Sequence, residues 1–303
     1  EIPQVEEPLL QGWGLQLQVS HLAGFPVHHS EARRKSFEQK RNNVEEEKMT
    51  TPTAYYFRIA GLYVKIIFLP SQRNSVSLIP SFQPFACKEV ADSDLFFQID
   101  VDDNLRPVTK DQRSLIRDFD TGNGNIIVYQ LTDGGYQYVI KDINGYSCAL
   151  LITNKNFVHC HCALNGNYDM RSFGLNSVLM LAFAFAGASR SVLLIHASLV
   201  RHRGWGYPFI AKSGTGKSTQ VSSWLRYIPD CDLMNDDNPI LRILDDGKPY
   251  IFGSPWSGKT PCYRNVMAPL GAVTRIDRDD KNWVERLNPV EAFTSFLPSC
   301  SSM

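Results

Sequence analysis

The stretch Gly206-Tyr-Pro-Phe-Ile-Ala-Lys-Ser-Gly-Thr-Gly-Lys-Ser-Thr219 constrains this chain more than any other. A short apolar run feeds a glycine-containing loop, and the loop feeds a segment with helical spacing. Gly214 and Gly216 can take backbone angles that turn amide N–H groups toward one point, and Lys217 and Ser218 open a helix whose positive end faces it. That geometry suits a nucleotide polyphosphate. Ser213, Gly214, Thr215, Gly216, Lys217, Ser218 and Thr219 are therefore the candidate phosphate cradle. Such loops read Gly, any four residues, then Gly-Lys-Ser/Thr. Ala211 stands at the first position, the mildest replacement for glycine, while the flanking strand and amphipathic helix supply the expected context. A turn that merely caps a helix would leave the Gly-Thr-Gly-Lys-Ser-Thr run unexplained.

Gly253-Ser-Pro-Trp-Ser-Gly-Lys-Thr260 matches the same pattern more literally. Its context is wrong, because Pro255 and Trp256 stiffen and crowd the loop and Pro261–Pro269 makes a poor amphipathic helix. Two readings stay open for it. Lys259 and Arg264 could reach phosphate oxygens from the opposite side, or the segment is an irregular loop with exposed cations.

Asp236 and Asp237 lie 19 and 20 positions after Lys217, at the end of a short expected strand. Phosphoryl transfer needs a carboxylate to help hold Mg²⁺ and often another to orient or deprotonate the acceptor hydroxyl. Adjacent aspartates at a strand end can serve both needs; the alternative is an Asp-Asp-Asn-Pro turn. His196 interrupts an apolar strand expected over Ser191–Val200 and, taken alone, reads first as a hydrogen-bonded core histidine. His159-Cys160-His161-Cys162 invites a zinc reading, yet strand alternation sends histidines and cysteines to opposite faces, and zinc-type spacing is missing.

Around these motifs the chain divides into a charged tail expected to be disordered (1–50), a β-rich N-terminal domain (51–165) and an α/β phosphate-loop domain (166–303). Short aromatic and β-branched runs, punctuated by Asp133-Gly134-Gly135 and Asn144-Gly145, predict an antiparallel sheet. Met170–Ser189 is apolar on nearly every face, which predicts a helix buried between the halves. Lysine plus arginine equals aspartate plus glutamate at 31 each, so no global charge points to nucleic acid or an anionic membrane. Seven scattered cysteines and an acidic start without a signal-peptide pattern point to the cytoplasm, and no uninterrupted run is long enough for a membrane span.

With Leu194-Ile-His-Ala-Ser198, Ala211–Thr219 and Asp236-Asp237 in order, residues 190–280 resemble the catalytic domain of HPr kinase/phosphorylase, which shares its nucleotide-binding core with phosphoenolpyruvate carboxykinase. The resemblance implies that Lys217 contacts the β- and γ-phosphates and that Ser218 helps bind Mg²⁺. It implies Asp236 and Asp237 as metal partner and catalytic base in either order, places His196 near the active site, and makes Arg264 a candidate phosphate contact. The expected protein is an ATP-dependent, Mg²⁺-requiring kinase acting on a hydroxyl of a small molecule or a protein serine, with ATP or another nucleoside triphosphate as ligand and a homo-oligomer as a further option. The rival is a non-catalytic nucleotide-binding switch or interaction module; a degenerate member lacking a C-terminal piece is a third reading. The folded protein is expected to begin near Thr53. Deleting residues 1–48 should leave solubility and nucleotide binding intact, and loss of either in the truncated protein would refute this.

Overall fold

Alternating apolar residues build the first half into one sheet in the computed structural model, which describes residues 51–300 apart from Ser213 and Lys259. The described residues all belong to one compact unit. Expectations placed on residues 1–50, Ser213, Lys259 and the last three residues fall outside the described residues.

The first sheet contains β1 (Thr53–Ile59), β2 (Leu62–Phe68), β3 (Leu95–Val101), β4 (Arg113–Asp120), β5 (Gly124–Leu131), β6 (Tyr136–Asp142), β7 (Ser147–Thr153) and β8 (His159–Leu164). Its eight strands run in the order β1-β2-β3-β8-β7-β6-β5-β4. The expected antiparallel arrangement needs correction, because β2, β3 and β8 are parallel neighbours. Parallel neighbours need a crossover in place of a tight turn. The segment between β2 and β3 supplies one, and its 3₁₀ turns Val76–Leu78 and Pro80–Phe85 bury Leu78, Phe82 and Phe85 in the core. β4 carried no readable signal: it is an edge strand, largely exposed, with charges among its apolar residues.

Helix α1 (Tyr168–Gly187) covers the inner face of this sheet. Asn167 starts it by accepting a hydrogen bond from the Met170 amide. Gly174 lets the helix approach closely, since a side-chain carbon there would sit 2.9 Å from the Cys148 carbonyl oxygen. The apolarity on all sides has a packing reason. Phe183 meets Phe96 and Phe97 of the sheet and also Trp256 from the second half. The expectation that no run is long enough for a membrane span needs correction: among the described residues α1 is long and apolar enough by length and composition, and 56% of its most apolar window is buried inside the molecule.

The second half adds β9 (Val192–Leu194), β10 (Ala197–His202), β11 (Trp205–Ile210), helix α2 (Lys217–Tyr227), β12 (Cys231–Asp237), β13 (Ile240–Ile243), β14 (Pro249–Phe252), β15 (Met267–Pro269), β16 (Thr274–Arg275) and helix α3 (Pro289–Phe296). They form two four-stranded sheets, β12-β10-β11-β16 and β15-β14-β13-β9, and the whole is mixed α/β. The single strand expected over Ser191–Val200 is instead two, β9 and β10, which belong to different sheets. His196 lies at the break, where the Ile195 amide donates to Pro239 and the His196 amide to Ser299.

Phe183 joins both halves through one buried ring. Replacing it with alanine should lower unfolding stability by about 3–5 kcal/mol. A reduced midpoint in urea denaturation checks this.

Candidate functional site

Strand β11 ends at Ile210 and the chain turns into the glycine loop. Gly214 has φ +77 and Gly216 φ +126, in the left-handed region that favours glycine. An added side-chain carbon at either would meet nothing within 4 Å, so backbone conformation rather than space requires glycine here. The Thr215 amide closes the turn on the Lys212 carbonyl at 3.2 Å. Gly216 caps α2 without a side-chain hydrogen bond, and the Gln220 amide donates to the Gly216 carbonyl at 3.0 Å. Helix geometry gives the N–H groups preceding Gln220 in the first turn no partner inside the helix, which leaves them as donors to water or to an anion. Ser218 and Thr219 are exposed at this end.

Lys217 turns back toward the sheet. Its ammonium donates to the Ala211 carbonyl at 3.0 Å and lies 3.0 Å from His196 Nε2. His196 Nδ1 lies 3.0 Å from Asp237 Oδ1. An ammonium can only donate, so Nε2 accepts and Nδ1 carries the proton that faces Asp237. Burial lowers the Lys217 pKa from its ordinary value of 10.5, and the charges of Asp237 and Asp236 only partly oppose it.

The two aspartates reach this point by register. β10 pairs with β12 so that Ala197 lies opposite Asp237 and Ser198 opposite Asp236. Asp236 is 7% exposed, and its Oδ1 accepts from the Ser198 hydroxyl at 2.6 Å. Asp237 is more open, with its side chain 35% exposed, and its Oδ2 also accepts from Asn238 at 2.8 Å. Its φ of +127 is strained for a residue with a side chain.

A bulge in β12 separates these carboxylates from Asp232. Leu199 pairs with Asn235 but Val200 with Leu233, so Met234 is an extra residue in the strand. Asp232 and Asp236 are an even number of residues apart, yet the bulge turns them to opposite faces. Asp236 shares its face with Ser198, whereas Asp232 shares the other with Arg201. Arg264 joins that second group: its guanidinium binds Asp232 at 2.6 Å and also contacts the Leu233 carbonyl. Burial pushes the Asp232 carboxyl up, but hydrogen bonds from Arg201 and Arg264 outweigh it and hold the pKa below the ordinary value. Arg264 is therefore placed away from the glycine loop.

The literal match Gly253–Thr260 is a loop with no helix after it. Trp256 is buried against Phe82 and Phe183, and Ser254 is buried in hydrogen bonds with Asn235 and Asn238. Beyond them, the Gly258 amide donates to the Asp236 carbonyl at 2.5 Å and the Ser257 hydroxyl to the same oxygen at 2.9 Å. The segment thus braces the strand end that carries the aspartates. On β8, His159 and His161 are exposed while Cys160 and Cys162 are buried, and burial pushes both thiols well up. Among the described residues no group of three or more His, Cys, Asp or Glu side chains is arranged to hold a metal by itself.

Three contacts lay beyond sequence reasoning. Ser198 belonged to a quoted motif without a role, Asn238 read only as a turn residue, and Arg278 was invisible. Arg278 Nη2 donates to the Gly214 carbonyl at 2.6 Å across a sequence separation of 64, which no local pattern encodes. In comparisons with known proteins, the chain matches no family model and no curated sequence.

The depressed Lys217 pKa has a linkage consequence. The unfolded chain holds the Lys217 proton to higher pH than the folded one, so stability rises with pH across the interval below 10.5. Compared with Lys217→Met, the wild type should gain stability as pH rises toward 10.5. Paired thermal melts across that range test the sign.

Proposed function

We propose that the chain is an ATP-binding, Mg²⁺-dependent kinase-like protein that transfers a phosphoryl group to a hydroxyl of a small molecule or a protein serine. Its core would be the phosphate-loop core that HPr kinase/phosphorylase shares with phosphoenolpyruvate carboxykinase. The observation that carries the reading is the chain of 3.0 Å contacts from Asp237 through His196 to Lys217 beside the glycine loop. It joins a phosphate-binding lysine to a carboxylate at the place where an acceptor hydroxyl would have to lose its proton.

The roles follow from exposure and partners. The loop amides and Lys217 bind the polyphosphate, with Lys217 exchanging Ala211 and His196 for phosphate oxygens. Asp237, the more open carboxylate, is the base. It takes the acceptor proton as the acceptor oxygen bonds to the γ-phosphorus and the bond to the β–γ bridging oxygen breaks, leaving ADP. His196 holds Asp237 in place through Nδ1. Ser218 and Asp236 offer oxygen donors only, the set that suits Mg²⁺ completed by phosphates and water. When bound, that ion would offset charge on the phosphate oxygens.

Lys217→Ala should abolish ATP turnover. Asp237→Asn should keep ATP binding but slow transfer by about 10²–10⁴-fold. ADP release measured with a panel of hydroxyl acceptors checks both, and undiminished turnover in Lys217→Ala would remove the loop from the mechanism. If the wild type binds ATP but releases no ADP with any acceptor, and Asp236→Asn/Asp237→Asn keeps partner binding, the nucleotide-switch reading replaces the kinase.

A further inference from the structure

We infer that Arg278 is the second cation of the polyphosphate site: its guanidinium, resting on the Gly214 carbonyl, moves onto phosphate oxygens at the tip of the loop when a nucleoside triphosphate binds. The inference rests on the phosphate-loop reading and adds to it a residue that no motif contains.

Topology brings Arg278 to the loop. β16 pairs with β11 in parallel, Phe209 opposite Thr274 and Ile210 opposite Arg275, and the Ile276 amide continues the ladder to the Ile210 carbonyl at 2.9 Å. Parallel neighbours leave a sheet at the same edge, which is where ligands gather in open α/β sheets. The chain leaving β16 therefore runs beside the chain leaving β11, and the 2.6 Å bond from Arg278 Nη2 to Gly214 is the result.

Charge distinguishes Arg278 from its neighbours. Arg275 is paired with Asp277 at 3.1 Å. Asp279 accepts from the Trp283 indole at 2.7 Å and from the Lys281 amide at 3.2 Å. Among the described residues no carboxylate lies within ion-pair distance of Arg278, and its one hydrogen bond is to Gly214. A guanidinium has five N–H donors, so most of its fork remains available. Arg264, which the resemblance makes a candidate phosphate contact, is held by Asp232 on the opposite face of β12. Guanidinium matches two phosphate oxygens at once, and exchanging a neutral carbonyl for that anion strengthens its hydrogen bonds.

The test is calorimetric titration of the full chain with Mg–ATP and, separately, with Mg–tripolyphosphate, for wild type, Arg278→Gln and Arg278→Lys. Arg278→Gln should weaken both ligands about tenfold, the size of one lost charge-assisted contact. Arg278→Lys should recover only part, because an ammonium cannot form the fork. Unliganded melting temperatures should match, since the side chain is exposed. Unchanged affinity in Arg278→Gln overturns this inference alone. A loss confined to ATP, with tripolyphosphate unaffected, also overturns it by assigning Arg278 to the base. A wild type that binds neither ligand overturns the phosphate-loop reading, and this inference with it.

Discussion

The antiparallel register of β10 against β12, with its bulge at Met234, is the constraint on which the candidate site depends. β10 lies between β11, which delivers the glycine loop, and β12, which delivers the aspartates. A slip by one residue would turn every side chain to the other face and part Ser198 from Asp236. The bulge does the equivalent within one strand. Upstream of Met234 the carboxylate of Asp232 serves a structural cluster with Arg201 and Arg264; downstream, Asp236 faces Ser198 and is followed by the strained Asp237. One extra residue therefore separates structural charge from site charge.

The break between β9 and β10 is the second constraint. An unbroken strand over Ser191–Val200 would leave His196 as one more residue in a ladder. Because Ile195 and His196 bond instead to Pro239 and Ser299, the chain changes sheets there and the imidazole spans from Asp237 to Lys217. This explains why a polar residue interrupts an apolar run.

Sequence reasoning was strongest where the physics is local. The glycines of the loop and the apolar helix α1 have signatures in composition and spacing, and α2 begins at Lys217, where the loop is expected to open a helix. The alternation of His159 to Cys162 was likewise legible, because a period of two needs no partner strand. What failed was non-local. The parallel pairing of β2, β3 and β8 depends on a crossover whose direction no hairpin signal records. That Arg264 joins Asp232 on the far face of β12 is not legible either, because no sequence pattern announces a bulge in the neighbouring strand, and the place of Arg278 follows from β16 pairing with β11. Side-chain identity was readable; which face it occupies was readable only where the periodicity ran unbroken.

The segment Gly253–Thr260 shows how a motif match can arise from packing. Trp256 anchors it in the aromatic core beneath the eight-stranded sheet, and Ser257 and Gly258 then fasten the Asp236 carbonyl. A side-chain carbon at Gly258 would sit 3.1 Å from Asp237 Cβ, a tight contact that glycine relieves. A backbone angle like that of Asp237 costs about 1–3 kcal/mol and persists only where the surroundings over-determine it. Here they do: His196 and Asn238 hold the carboxylate, and Ser257 pairs with the Asp237 backbone. The core of the first half thus reaches the aspartates through Trp256, and Ser257 and Gly258 brace the strand end that carries them.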